Sequence, residues 1–192
     1  MKNRASYSKG WSRFCAWLLR CLGWTAVGGP VPEKKAIILG APHTSLLDFP
    51  IAYLFYTAYG DVAHVMVKKE LFFWPLGPIL RACGCIPVDR SNATELVRSL
   101  IEHMEKDEVF KLAIAPEGTR KPVRRWKAGA LKIAAETGVP VYAGWFDWRT
   151  KRISCGEKLP LSGDIAADLK MVQEYYEGLH LTGKHKEKYI TH

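Results

Sequence analysis

The sequence lacks a hydrophobic run long enough to predict a membrane-spanning helix, and its five cysteines form no C-x-x-C pair. The most apolar stretch near the amino terminus, "GWSRFCAWLLRCLGWTAVGG", is interrupted by Arg13 and Arg20, whereas a spanning helix needs about 20 nearly uncharged residues. The cysteines and the six histidines also lack zinc-ligand spacing. We therefore expect no metal site and a reduced, intracellular protein.

Two further absences narrow the function. The chain has no G-x-S-x-G motif, so the sequence predicts no serine nucleophile on a strained turn. It has no motif that reads a nucleic-acid groove or stacks bases, so we expect no nucleic-acid partner. Long repeats and low-complexity segments are absent as well, and the 48% hydrophobic and 24% charged content of the 192 residues is typical of one globular domain.

Positive charge is abundant by contrast. The formal net charge is +9, from 28 lysines and arginines against 19 acids. Residues 1–35 carry seven basic residues and one acid, and residues 118–132 carry six basic residues and none. Such a balance favours an anionic partner, and with nucleic acid set aside the candidates are an anionic membrane surface and a phosphorylated substrate.

Apolar runs alternate with longer helical patterns from residue 36 onward. The predicted strands are 36–41, 62–67, 85–90, 109–115 and 139–146, and the predicted helices are 45–59, 92–106 and 127–138. This alternation predicts an α/β fold with a mostly parallel central sheet flanked by helices. The intervening segment "ELFFWPLGPILRACG" has no clear period; its apolar residues suit either the core or the wall of an acyl-chain tunnel.

The amino-terminal stretch predicts an amphipathic helix. Five apolar side chains share one face of it: Phe14, Trp17, Leu18, Cys21 and Leu22. The stripe suits a helix lying in a membrane interface beside anionic lipid, and it suits equally a helix packed on its own domain. We expect residues 1–30 to form this segment and residues 31–192 to form the main domain.

The stretch "PHTSLLDFP" places His43 and Asp48 directly after the first predicted strand. A separation of five residues corresponds to roughly 140° around a helix, so His43 is expected in the loop. Ser45 or Thr44 is then expected to cap the helix, with Asp48 in its first turn and able to reach the imidazole. The pair is either a polar turn or a general base with its orienting carboxylate, which would activate a substrate hydroxyl.

A second polar stretch, "APEGTR", follows the predicted strand 109–115. Gly118 allows close approach of a ligand, the Thr119 hydroxyl can donate, and the Arg120 guanidinium fits phosphate. Glu117 is expected to orient Arg120 or a backbone amide, or to accept from a substrate hydroxyl. Because parallel strands end at one edge of a sheet, this stretch and His43 are expected on the same rim, together with Arg90.

Taken together, "PHTSLLD", "GCIPVDR", "APEGTR" and "VPVYAG" resemble, in this order, the blocks of the glycerolipid acyltransferases, which include 1-acylglycerol-3-phosphate acyltransferase. The resemblance spans about residues 36 to 146. Pro42 stands where the family often has asparagine and Ala115 where it usually has phenylalanine, and the last block lacks a second proline.

The resemblance implies that His43 is the general base and that Asp48 orients it. It implies that Glu117, Gly118, Thr119 and Arg120 bind the acceptor, with Arg90 helping to hold phosphate. It also implies an acyl thioester donor, carried by coenzyme A or acyl carrier protein, and no other cofactor.

The expected activity is acyl transfer to a lysophospholipid hydroxyl by a peripheral protein at the cytoplasmic face of a membrane. Two alternatives remain open at this point. One is a non-catalytic basic module that binds membranes or polyanions, which the net charge of +9 favours. The other is a lipid hydrolase, which would use the same histidine and aspartate to activate water.

Overall fold

A seven-stranded sheet forms the centre of the protein, and the computed structural model describes residues 6–89 and 92–189. The strands are β1 (Thr25–Val27), β2 (Lys35–Ala41), β3 (His64–Lys68), β4 (Cys85–Val88), β5 (Phe110–Ile114), β6 (Val141–Asp147) and β7 (Arg152–Ser154). Their order across the sheet is β1-β7-β6-β2-β5-β3-β4. Within the described residues five pairings are parallel and one, β6 with β7, is antiparallel, which confirms the predicted α/β class.

Helices cover both faces of this sheet. They are α1 (Lys9–Cys21), α2 (Asp48–Ala58), α3 (Leu76–Ala82), α4 (Ala93–Lys106), α5 (Gly129–Thr137) and α6 (Ile165–Gly178), with short 3-10 helices at Lys69–Leu71 and Lys186–Lys188. Helix α5 ends at Gly138, whose φ of 68° is a left-handed conformation that glycine adopts without a side-chain clash. This is the end that the sequence predicts for it.

Strand β2 divides the core into two layers because its side chains alternate between the faces of the sheet. Ile37 and Leu39 pack in a cluster with residues of α4, α5 and α6. Ala36 and Ile38 pack in a second cluster with residues of α1 and α2. The loop after β2 therefore starts from a largely buried strand in the middle of a three-layer structure, which gives it a rigid base.

Helix α1 packs on α2, and of the stripe that the sequence marks only Leu18 packs against this cluster. Its buried side chains are Ser12, Cys15 and Leu19. Trp11, Phe14 and Trp17 are instead exposed, by 44%, 44% and 54%. The two interpretations of this helix are thus compatible, because one side packs on the domain while the aromatic side faces solvent. Within the described residues no helix is both long enough and apolar enough to span a membrane.

Besides the two 3-10 helices, four described elements lie where the sequence patterns predicted none: β1, β7, α3 and α6. Strands β1 and β7 have three residues each, which is too short for an alternating pattern to be recognised. Helix α6 does carry a sequence signal, because the Asp164 side chain caps it by accepting from the backbone N–H groups of Ala166 and Ala167. The apolar segment before β4 is not core throughout, since Phe73, Trp74 and Ile79 are more than half exposed.

Candidate active site

The imidazole of His43 and the carboxylate of Asp48 meet at the edge where β2 ends. His43 lies in the loop that joins β2 to α2, and its Nδ1 is 3.1 Å from Asp48 Oδ2. The His43 side chain is 29% exposed, whereas that of Asp48 is 2% exposed. A ligand can therefore reach the imidazole, while the carboxylate behind it is shielded from water.

Asp48 holds this loop together. Its Oδ2 accepts from the backbone N–H groups of Thr44 (2.9 Å) and Ser45 (2.8 Å) as well as facing His43. Its Oδ1 accepts from the indole N–H of Trp148 at 2.8 Å. These bonds compensate for the loss of water around a buried carboxylate.

The prediction that Ser45 or Thr44 caps helix α2 is wrong, because Asp48 binds the amides of this loop. Helix α2 begins at Asp48, and Leu47 occupies the cap position without a side-chain hydrogen bond. The Ser45 hydroxyl accepts from the Leu47 N–H at 3.2 Å, which leaves Ser45 and Thr44 as loop residues. The physical reason is that one carboxylate reaches both loop amides, so Asp48 does for the loop what a serine cap would do for the helix.

Glu117 joins the end of β5 to the same loop. Strands β2 and β5 are neighbours, with Leu39 opposite Ile114, so both chains leave the sheet side by side. Glu117 Oε1 accepts from the His43 backbone N–H at 2.8 Å. Of the roles considered for Glu117, the structure supports orientation of a backbone amide.

The carboxyl of Glu117 lies in an unusual environment. Its residue is 5% exposed, and Oε2 has no hydrogen-bond partner among the described residues. The pKa of Glu117 is raised to about 8, mainly by burial and to a smaller extent by the nearby Asp48, while the N–H of His43 opposes the rise. A carboxyl with this pKa is mostly protonated at neutral pH and can donate as well as accept.

The rest of the "PEGTR" stretch turns outward after Glu117. Gly118 has a φ of 68°, and a Cβ there would lie 2.9 Å from Lys127 Cγ, so this turn requires glycine. The Thr119 hydroxyl accepts from the Lys121 N–H at 3.2 Å and keeps its own proton to donate. Arg120 is exposed and makes no hydrogen bond or ion pair with His43, Asp48 or Glu117. Its guanidinium thus remains available for an anion.

Arg90 lies outside the described residues, so its expected place on this rim stays a prediction. Strand β4 ends at Val88, and the neighbouring Asp89 pairs with Lys69 across the connection from β3.

Sequence reasoning missed Trp148 and the carboxy-terminal tail around the site. Trp148 follows β6, the other neighbour of β2, so the rule that places His43 and Glu117 on one rim also applies to it. The backbone N–H of Trp148 donates to the Thr182 carbonyl at 2.8 Å. The His185 N–H donates to the Thr44 hydroxyl at 3.3 Å, and a Cβ on Gly183 would lie 2.6 Å from Thr44 Cγ2.

Among solved structures, the fold is similar to that of the 1-acyl-sn-glycerophosphate (LPA) acyltransferase PlsC from Thermotoga maritima, known from its crystal structure. The TM-score is 0.56 at 20% identity, over 89% of this chain and 78% of that chain. At that identity the likeness supports the α/β architecture. Comparison with curated proteins gives no significant match.

A family model fits the chain directly. The Acyltransferase model matches residues 26–147, which include His43, Asp48 and the stretch 115–120 and end one residue before Trp148. The match covers well over half of the chain and confirms the resemblance first seen in the four sequence blocks. The chain therefore belongs to the Acyltransferase family and is an acyltransferase enzyme.

Proposed function

We propose that this enzyme transfers a fatty acyl group from an acyl thioester to the hydroxyl of a lysophospholipid such as 1-acylglycerol-3-phosphate. The observation that carries the proposal is the pair of His43 and Asp48, in reach of ligands at the sheet edge and without a G-x-S-x-G serine. A general base without a protein nucleophile suits direct attack by an acceptor hydroxyl. The substrate class is supported by the matched Thermotoga maritima protein, which is a 1-acyl-sn-glycerophosphate acyltransferase.

In the proposed reaction His43 carries one proton from acceptor to leaving group. Its Nδ1–H donates to Asp48, which leaves Nε2 to take the proton of the acceptor hydroxyl. The acceptor oxygen forms a bond to the thioester carbonyl carbon, and the bond from that carbon to sulfur breaks. The thiolate of coenzyme A, or of the acyl carrier protein arm, leaves and receives the proton. Every bond and proton in this reaction is accounted for by the acceptor and the acyl thioester, so the proposed reaction needs no cofactor.

Glu117, Gly118, Thr119 and Arg120 form the proposed acceptor site. The bond from Glu117 to the His43 amide ties the start of this stretch to the catalytic loop. A phosphate held by the Thr119 hydroxyl and the Arg120 guanidinium would therefore bring a glycerol hydroxyl near the imidazole. Arg90 is proposed to assist from the end of β4.

We also propose a peripheral position at the cytoplasmic face of a membrane. The exposed aromatic side chains Trp11, Phe14 and Trp17 on α1 suit the headgroup region, and the net charge of +9 suits anionic lipid. This position would bring the lipid acceptor to the site.

The test is identification of the acylated product. Purified protein is incubated with 1-acylglycerol-3-phosphate in mixed micelles and with palmitoyl-coenzyme A or palmitoyl-acyl carrier protein, and the lipids are analysed by mass spectrometry. The expected product is 1,2-diacylglycerol-3-phosphate. Release of free fatty acid at the same rate with and without acceptor would identify a hydrolase instead, and the absence of turnover with every lysolipid tested would refute the proposal.

The chain offers a matched control for the general base. His43→Ala should lower kcat/KM by about 10²–10⁴-fold, the usual contribution of a positioned acid–base group. His103→Ala removes another histidine bonded to an aspartate, in the last turn of α4, and should leave kcat/KM within about twofold. Equal activity of the two variants, both folded, would show that His43 is not the base.

A further inference from the structure

A groove of about 580 Å³ lies beside the catalytic loop, and of its lining residues only Leu47 belongs to the four sequence blocks. It runs between the end of α1, one side of α2, the turn that joins β6 to β7, and the carboxy-terminal tail. The residues that line it fall into an apolar set, Leu22, Trp24, Leu47, Pro50, Ile51, Leu54 and Trp148, and a basic set, Arg149, Lys151, Lys184 and Lys186, with Thr182 and Gly183 between them.

The two sets come from different segments of the chain. Six of the seven apolar side chains come from residues 22–24, directly after α1, and residues 47–54, at the start of α2, whereas the basic side chains come from the β6–β7 turn and the tail. The segments meet where Lys151 Nζ donates to the Leu22 carbonyl at 3.0 Å. All four basic residues are exposed, and no acidic residue is among the described residues that line the groove. The groove is therefore complementary to a molecule that carries both an alkyl chain and a negative charge.

We propose that this groove binds an anionic phospholipid of the membrane, distinct from the acyl acceptor. The acyl chain lies against Leu22, Ile51 and Leu54, and the headgroup phosphate meets Lys184, Lys186 and Arg149. A membrane lipid fits the position, because Leu22 is 43% exposed and continues the apolar surface of α1 into the groove. The site lies on the β6 side of β2, whereas the proposed acceptor site lies on the β5 side.

Trp148 connects this groove to the catalytic pair. Its ring lines the groove, and Lys184 Nζ lies 4.5 Å from the ring centroid. Its indole N–H donates to Asp48 Oδ1 at 2.8 Å. A lipid in the groove therefore contacts the side chain that holds the carboxylate of the pair, and the indole N–H reports on its presence.

The experiment follows that N–H by NMR in the isotope-labelled full chain, held in neutral dodecyl maltoside micelles. Its signal is assigned as the one lost in Trp148→Phe. Didecanoyl phosphatidylglycerol should shift it saturably, and didecanoyl phosphatidylcholine should bind at least about tenfold more weakly, because it lacks net charge. The combined variant R149Q/K184Q/K186Q should lose at least about tenfold in affinity for phosphatidylglycerol. The variant K132Q/K158Q/K170Q, with the same loss of charge elsewhere on the surface, should stay within about twofold of the parent.

Three results would overturn the proposal. Equal shifts with phosphatidylcholine would show that the headgroup charge is not recognised. Equal loss of affinity in both triple variants would show that only the overall charge attracts the lipid. Tighter binding of decanoyl-coenzyme A at the same signal, with displacement of phosphatidylglycerol, would make the groove a donor site. None of these measurements requires turnover, so the lipid site and the proposed activity can fail separately.

Discussion

Two histidine–aspartate pairs in this protein share the same atoms and nearly the same distance. His43 Nδ1 lies 3.1 Å from Asp48 Oδ2, and His103 Nδ1 lies 3.2 Å from Asp107 Oδ2. The residues of the second pair are four positions apart at the end of α4, where a protonated histidine would also interact favourably with the negative end of the helix dipole. Geometry within the pair does not distinguish a proposed catalytic site from a helix terminus.

The surroundings of the carboxylate do distinguish them. The Asp48 side chain is 2% exposed and accepts from two backbone amides and an indole, whereas that of Asp107 is 24% exposed. His43 sits where three parallel strands end, while the ring of His103 stacks on Phe110 at 5.4 Å between centroids. A fixed, desolvated carboxylate can hold one tautomer of its histidine, and a partly exposed pair on a helix adds mainly a little stability.

The largest difference in activity between the two pairs is expected when each aspartate is replaced by asparagine. The asparagine in Asp48→Asn cannot accept all the hydrogen bonds that Asp48 accepts. If its amide oxygen faces the loop N–H groups, its NH₂ group faces the Trp148 N–H, and two donors then oppose each other. We expect kcat/KM to fall by about 10³-fold. Asp107→Asn should leave kcat/KM within about twofold and lower the free energy of unfolding by at most about 1 kcal/mol.

Activity and urea unfolding are measured on both aspartate variants. A loss of activity in Asp48→Asn that merely follows a loss of folded protein would be uninformative about tautomers, so the comparison is made at urea-free conditions where both are folded by circular dichroism. If folded Asp48→Asn kept the activity of Asp107→Asn, the two pairs would be equivalent and the buried carboxylate would have no role in the reaction.

A smaller effect is expected from Trp148→Phe, which keeps the aromatic ring beside Trp24 and removes the bond to Asp48 Oδ1. Loss of a hydrogen bond to a charged group costs about 1.5–3 kcal/mol of stability. We expect kcat to fall about tenfold with little change in the KM of the acceptor, since the acceptor site lies across β2.

The matched control for that change is Trp126→Phe. Trp126 is buried, at 3% exposure, and packs on Tyr176 in the other core layer. It should lose stability but retain kcat within about twofold. Equal kcat values for the two tryptophan variants would mean that the Trp148 bond only stabilises the fold.

The sequence predicted the parts of the site that depend on strand ends. His43 and Glu117 each follow an apolar run that reads as a buried strand, and parallel strands end on one edge, so their approach follows from topology. Trp148 follows from the same rule, but in "VYAGWFDW" it reads as one more aromatic of the strand. The contribution of the tail was not predictable, because it is made by the backbone of Gly183 and His185 against Thr44.

The prediction that Ser45 or Thr44 caps α2 was wrong for a different reason. Ser45 and Thr44 have good capping propensity, but propensity is local and the bond from Trp148 to Asp48 joins residues that are 100 positions apart. Once that bond fixes the carboxylate, the loop amides bind to it. The fold class needed only periodicity, whereas the detailed contacts of the site needed tertiary structure.

The smallest expected effect on activity, and the one most specific to the first pair, comes from Glu117→Gln. A glutamine oxygen can still accept from the His43 N–H, so kcat/KM should stay within about tenfold near neutral pH. Stability should respond to pH instead. Burial raises the pKa of Glu117 to about 8 in the folded protein, whereas an unfolded glutamate titrates near 4.5. The folded state thus holds a proton that the unfolded state releases between these values, and the free energy of unfolding falls as pH rises through that window.

Urea unfolding of the parent and Glu117→Gln at several pH values tests this directly. Glutamine does not titrate, so the free energy of unfolding of the variant should not fall in this way. Its difference from that of the parent should grow by at most about 1.4 kcal/mol per pH unit between about pH 4.5 and 8. Glu108→Gln is the control: Glu108 is exposed and its pKa is lowered by its bond with Lys34, so its curve should run parallel to that of the parent throughout this window. Parallel curves for Glu117→Gln as well would mean that Glu117 is already ionised at pH 5. His43 would then be held by a charged carboxylate on each side, and burial would not be enough to keep Glu117 protonated.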